Sequence, residues 1–170
     1  MSKYFIILLS IFANAAIGQT HFSSPKYGYS FDISPGWFQK FNTVQASTDC
    51  KIADGNGNSF IVTVMQIPES EKNNYTVDAM LNTSLEDLET DLEILYGNCT
   101  VLKKGVFKNQ YLSFFSYQYT VPFRDGLNMY HKCFMVSHNG FLFTIDAASI
   151  SSFTESVAVY HAIMINSFKF

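Results

Sequence analysis

The chain has 170 residues, of which 48% are hydrophobic, 16% aromatic and only 15% charged, with a formal net charge of −3. That length fits one domain able to bury a real core unaided, and the aromatic content argues against disorder. The mildly acidic balance supplies no basic field for phosphate, so no nucleic acid is expected as partner.

Residues 1–18, MSKYFIILLSIFANAAIG, read as an export signal. Lys3 is the lone positive charge, residues 4–12 form an apolar run, and Ala16-Ile17-Gly18 supplies the small residues that a signal peptidase reads. The run is shorter than the roughly 20 residues of a membrane-spanning helix, and no second one is long enough. The mature chain is expected to start at Gln19, with residues 19–170 as a single domain, exported to the periplasm or secreted. No transmembrane segment is expected after signal removal. No cysteine lies near the cleavage point to carry a lipid. Three cysteines remain, Cys50, Cys99 and Cys133. An oxidising compartment makes one disulfide plus one free thiol the arithmetic expectation, with no choice among the pairings; three reduced, buried cysteines are the equal alternative. Asn-x-Ser/Thr sequons at Asn74, Asn82 and Asn98 matter only in a eukaryotic cell. His21 falls in a start that reads as disordered.

The next stretch reads as strands separated by turns. Tyr29, Phe31 and Ile33 alternate with Ser30, Asp32 and Ser34 up to Pro35-Gly36, and Trp37 opens a second extended run. Residues 48–53 and 60–67 flank Asp54-Gly55-Asn56-Gly57-Asn58, where Asn-Gly predicts a hairpin with positive φ at its centre. The same five residues match the first half of a calcium loop. Ser59 and Met65 then stand where glycine and a bidentate glutamate are required, so a turn explains them.

Between residues 76 and 96 the period becomes helical. Leu81, Leu85, Leu88, Leu92 and Leu95 form one apolar stripe that Gly97 closes, and Asp78, Glu86, Asp87, Glu89, Asp91 and Glu93 make a solvated acidic face. Residues 100–107 and 111–121 read as two more strands. The second carries aromatics on both faces, which calls for cover on both sides of the sheet. Residues 129–137 and 141–148 form a further hairpin turning at Asn139-Gly140. A two-residue turn there sets Cys133 opposite Asp146 and Val136 opposite Phe143. Phe134, Val136, Phe141, Phe143 and Ile145 then share a core face, while His131, Cys133, Met135, Thr144 and Asp146 share the other. Ser152-Phe153-Thr154-Glu155 is a capping box opening a last helix.

The opening Tyr27-Gly28-Tyr29-Ser30-Phe31 with Pro35-Gly36-Trp37, and the close in an Asn-Gly hairpin, an apolar strand, a capped helix and Ser167-Phe168-Lys169-Phe170, resemble the PsbP-like superfamily, which includes the Mog1 and DcrB proteins. The resemblance implies an α+β fold, an α/β/α sandwich with a central antiparallel sheet flanked by helices. Its members act mostly by binding and share no catalytic motif, so it implies a non-catalytic binder and assigns no residue a role.

His131, Cys133 and Asp146 have the side-chain types of a nucleophile, a base and an orienting acid. Residues two apart on a strand, however, project in parallel about 7 Å from each other, a poor arrangement for in-line attack. Metal binding by His131 and Cys133 lacks a signalled third ligand. No enzyme motif, catalytic residue, metal site or cofactor is therefore expected. The leading expectation is an exported, non-catalytic binding module of the bacterial envelope docking to another protein. The alternative is a carrier or sensor of a small apolar ligand, whose cavity Tyr111, Tyr117, Tyr119 and Phe123 would line. With His131 and Asp146, these six are the candidate surface for a ligand or partner.

Overall fold

A computed structural model describes residues 20–41, 46–150 and 155–170; the expected export signal and Ser152, Phe153 and Thr154 of the expected capping box lie outside the described residues. The described chain begins with β1 (His21–Ser23) and β2 (Ser30–Asp32), an antiparallel pair apart from the main sheet. β3 (Phe38–Gln39), β4 (Thr48–Ala53) and β5 (Ser59–Gln66) follow, then a 3-10 turn (Glu69–Tyr75) and two helices, α1 (Val77–Asn82) and α2 (Leu85–Tyr96). β6 (Thr100–Lys108), β7 (Ser113–Pro122), β8 (Asn128–His138), β9 (Phe141–Ser149) and α3 (Glu155–Ser167) complete the order. The main sheet is seven-stranded, ordered β3-β4-β5-β9-β8-β7-β6, with every neighbour antiparallel. This is the antiparallel α+β architecture that the sequence predicts.

Both faces of the sheet are apolar, and each has its own cover. On one face Ile52, Phe60, Val62, Phe134, Phe143 and Ile145 pack against Tyr29, Phe31 and Trp37 from the first hairpin region and against Met164, Ile165 and Phe168. The rings pack closely, Tyr29 stacked on Phe168 at 5.1 Å and Phe22 tilted against Phe31 at 5.3 Å. Each fully buried ring of this kind contributes about 1.5–3 kcal/mol through apolar burial. On the other face Met80 of α1 and Leu92 of α2 cover Val101, Phe115, Tyr117, Tyr119, Val121 and Cys133. The cover thus differs between the two sides: helices on one, a helix plus a hairpin on the other.

The Asn139-Gly140 hairpin has the predicted two-residue form, with φ of 49° and 80°, Cys133 opposite Asp146 and Val136 opposite Phe143. The Asn56-Gly57 hairpin is also present, but as a five-residue loop between Ala53 and Ser59. There Gly55 and Gly57 carry the positive φ, and the Asp54 carboxylate closes the loop by accepting from Asn56 N, Asn58 N and Asn58 Nδ2.

Two expectations are corrected, and of the two equal readings of the cysteines the reduced one is found. The single helix over 76–96 is two: Thr83 and Ser84 take extended dihedrals, and Ser84 restarts the chain with a capping box to Asp87. Within α2, Leu92 is buried while Leu85 and Leu95 are 41% and 73% exposed. His21 belongs to β1, where its Nδ1 meets Asp32 Oδ1 at 2.8 Å. All three cysteines are reduced. Cys50 packs under the hairpin layer while Cys99 and Cys133 face the helices, which puts the sheet between Cys50 and the others.

Candidate functional site

The chain between β5 and β6 travels from mid-sheet to its far edge, and α1 and α2 ride on it. Their contacts fall on β6 and β7. Among the described residues, the neighbouring half of that face, on β4, β5 and β9, keeps only partial cover, and an open cleft of about 890 Å³ lies there. Its far wall is the C-terminal end of α2, through Leu92, Leu95 and Tyr96.

Strand register lays out the floor in rows. Tyr117, Cys133, Asp146, Ile61 and Lys51 face one another in turn across β7, β8, β9, β5 and β4. Beside them run Tyr119, His131, Ala148, Ser59 and Ala53. On the other side Met135 faces Thr144, then Thr63, then Thr48. Large rings fill the β7–β8 end, whereas small and hydroxylated side chains floor the β4–β5–β9 end. That difference in side-chain volume leaves the space.

One polar pair lies in this floor. His131 Nδ1 donates to Asp146 Oδ2 at 2.9 Å, a diagonal neighbour, with the side chains 6% and 19% exposed. Tyr119 stacks on the imidazole with ring centroids 4.5 Å apart, and Tyr96 lies 6.0 Å from it. The Tyr96 and Tyr119 rings lie 5.9 Å apart, and Tyr117 faces Cys133 across the β7–β8 pair. His131 Nε2 and Asp146 Oδ1 are buried and have no hydrogen-bond partner among the described residues.

Burial, reinforced by the Asp146 charge, pushes the Tyr117, Tyr119 and Cys133 protons well above their ordinary pKa values. These groups stay neutral around pH 7. A cysteine nucleophile needs a thiolate, which electropositive and partly exposed surroundings favour. Cys133 has the opposite surroundings. Among the described residues no group of three or more His, Cys, Asp or Glu side chains is placed to hold a metal ion.

Of the six candidate residues, Tyr117, Tyr119, His131 and Asp146 meet in this cleft, whereas Tyr111 and Phe123 do not line it. β7 spans only Ser113–Pro122, so its alternation reaches neither residue. Tyr111 sits in the Asn109 turn, 49% exposed under the Lys169 ammonium, and Phe123 begins the turn that its N–H closes onto the Leu127 carbonyl. The reading of residues missed Tyr96 and the floor residues Ser59, Thr63 and Ala148. Hydroxyls at Ser59 and Thr63 were a visible alternation, but nothing local says that helices leave them uncovered.

Comparison with solved structures places the architecture. Cyanobacterial PsbP from Synechocystis sp. PCC 6803 superposes with a TM-score of 0.65 at 15% identity, over 91% of this chain and 95% of that one. This is the PsbP/Mog1-like fold. The Ran-binding protein Mog1p of Saccharomyces cerevisiae matches it with a TM-score of 0.56 at 10% identity, over 88% of this chain and 93% of its own. LpqN of Mycobacterium tuberculosis, described as involved in cell envelope biogenesis, gives 0.51 at 8% identity over 84% of this chain and 82% of its own. At such identities the likeness is one of fold. No family model matches the sequence, and comparison with curated proteins finds no match. Among the described residues no helix of this PsbP/Mog1-like domain is long and apolar enough to cross a membrane.

Proposed function

We propose that the protein is an exported, non-catalytic binding module that holds a small amphiphilic ligand in the helix-face cleft. The observation that carries this is the cleft itself: about 890 Å³, floored by a sheet, walled by tyrosines and the end of α2. That volume is in the range of small-molecule sites, which combine a mostly apolar lining with a few placed polar groups. Leu92, Leu95, Ile61 and the tyrosine rings supply the apolar part, and Thr63, Thr144, His131 and Asp146 the polar part. The protonated Cys133 supports a site without a nucleophile, and the signal-like residues 1–18 support export. An envelope setting draws further support from the fold shared with LpqN.

Docking of an envelope protein is the second reading, favoured by Ile94 and Leu95, 79% and 73% exposed beside the cleft. Thermal unfolding of residues 19–170 with a small-molecule extract of the cell envelope separates the two. The ligand reading expects the extract to raise the midpoint by several degrees, and Thr63→Trp, which fills the floor, to abolish the rise. An extract that never shifts the midpoint, together with a protein partner lost in Ile94→Glu, overturns it in favour of docking.

A further inference from the structure

Resting on the reading of the cleft as a ligand site, we infer that it takes an anionic amphiphile, with the acidic head held at Lys40 and Lys51 and the apolar body lying along the sheet floor. Register sets the two lysines side by side. β3 pairs with β4 through Phe38 opposite Ala53 and Gln39 opposite Ile52, and Lys40 carries the pairing one step on, its N–H donating to the Lys51 carbonyl at 2.8 Å. Residues directly opposite on neighbouring strands have Cβ atoms about 5 Å apart, and like charges there disfavour each other until something negative joins them. Both lysines line the cleft, and neither forms an ion pair among the described residues.

The neighbouring carboxylates are committed elsewhere. Asp49 accepts from the hydroxyl of Tyr29, a residue of the layer on the other face of the sheet, at 2.7 Å, and Asp54 closes its own loop. The residues that follow Phe41 in the chain, Asn42, Thr43, Val44 and Gln45, bring no acid. The cleft therefore sets two lysines against one carboxylate, Asp146, which already accepts from His131. That positive excess holds whether His131 is charged or neutral, in a chain whose net charge is −3. Asp146 also fixes the direction of the ligand. It stands in the Lys51 row two strands away, about 10 Å at the usual strand spacing, and repels an acidic head from the middle of the floor. Ile61 lies between the two, and Leu95 belongs to the far wall. Lys40 is exposed and Lys51 half-buried, so a head bound there keeps part of its hydration while the body is buried over Ile61 toward Leu95.

Isothermal titration of residues 19–170 at pH 7.5 with octanoate, octanol and octylamine tests this, since the three share a chain and differ in head group. Octanoate is expected to bind at least about ten-fold more tightly than octanol, and octylamine more weakly than octanol. Lys51→Met, which keeps an apolar stem and removes the charge, is expected to bring octanoate and octanol within about three-fold of each other while leaving octanol unchanged. Octanol or octylamine that equals octanoate on the unsubstituted protein, an octanoate preference that survives both Lys51→Met and Lys40→Met, or no binding of any probe overturns the inference. Octanoate that binds Thr63→Trp as tightly as the parent sits outside the cleft and overturns it too. The ranking on the unsubstituted protein decides even if the variants do not fold. The envelope-extract experiment judges the cleft separately, so a cleft that binds extract without preferring octanoate sinks this assignment alone.

Discussion

Phe168 shows how single side chains hold the two chain ends together. It is fully buried, with Tyr29, Phe31 and Phe114 ring centroids at 5.1, 6.2 and 6.1 Å. Next to it Lys169 N–H donates to the Ser30 carbonyl and Ser30 N–H to the Lys169 carbonyl, at 3.0 and 2.8 Å. The Tyr27-to-Phe31 opening and the Ser-Phe-Lys-Phe ending are therefore one unit in space. Phe168→Ala is expected to lower the unfolding free energy by about 3–5 kcal/mol, read from urea titration. His161 makes a second residue-scale prediction. Its Nε2–H donates to the Ser59 carbonyl, Trp37 packs against its ring at 5.2 Å, and burial lowers its pKa to about 4. The folded state thus prefers the neutral ring, and as pH falls below about 6.5 the unfolded chain takes up the proton first. Stability is therefore lost progressively down to about pH 4, where the folded ring also protonates. The loss is on the order of 3 kcal/mol. Urea unfolding at pH 7 and pH 4 should show this loss in the parent and a clearly smaller one in His161→Gln; equal losses contradict the assignment.

At the scale of elements, the break between α1 and α2 depends on Ser84. Its hydroxyl accepts from Asp87 N–H at 2.9 Å, while Asp87 Oδ2 accepts from Ser84 N–H at 3.3 Å. Ser84→Ala is expected to cost about 1 kcal/mol, the usual worth of a cap, and circular dichroism with thermal unfolding measures it. Within α2 only Leu92 is buried, so Leu92→Ala should cost about 2–5 kcal/mol and Leu95→Ala, 73% exposed, no more than about 0.5. The break escaped the reading of residues because Thr83-Ser84 contains neither glycine nor proline, and the leucine spacing runs straight through it. The Asn139-Gly140 hairpin was legible to its register because a two-residue turn leaves no freedom: with positive φ at both centres, every facing pair from His138 to Tyr130 follows. Asn56-Gly57 carries the same dipeptide, yet its side-chain bonds to Asp54 select a longer loop, a competition that the dipeptide alone does not show.

For the whole molecule, the decisive feature is how far the crossover helices reach. The resemblance at the two chain ends correctly implied the layered antiparallel fold, since those residues shape the fold. It said nothing of the cleft. That space arises because α1 and α2 cover β6 and β7 while the β4–β5–β9 side of the same face carries Ser59, Thr63, Thr144 and Ala148. His131 and Asp146 were legible as neighbours on one face, because register sets faces. Their hydrogen bond, the Tyr96 and Tyr119 rings beside them and the uncovered floor depend on contacts between distant segments. The edge strand β6 at the far side carries Lys103 and Lys108, charges that discourage another sheet from adding there.

The most direct test of the cleft as the binding surface is amide chemical-shift mapping of residues 19–170 as a small-molecule extract of the envelope is added. The account predicts shifts concentrated at Thr63, Thr144, Asp146, Ala148, His131 and the last turn of α2, with the Phe31, Phe60 and Phe168 layer on the opposite face unchanged. Shifts confined to that opposite layer, or no shifts at all, would contradict it.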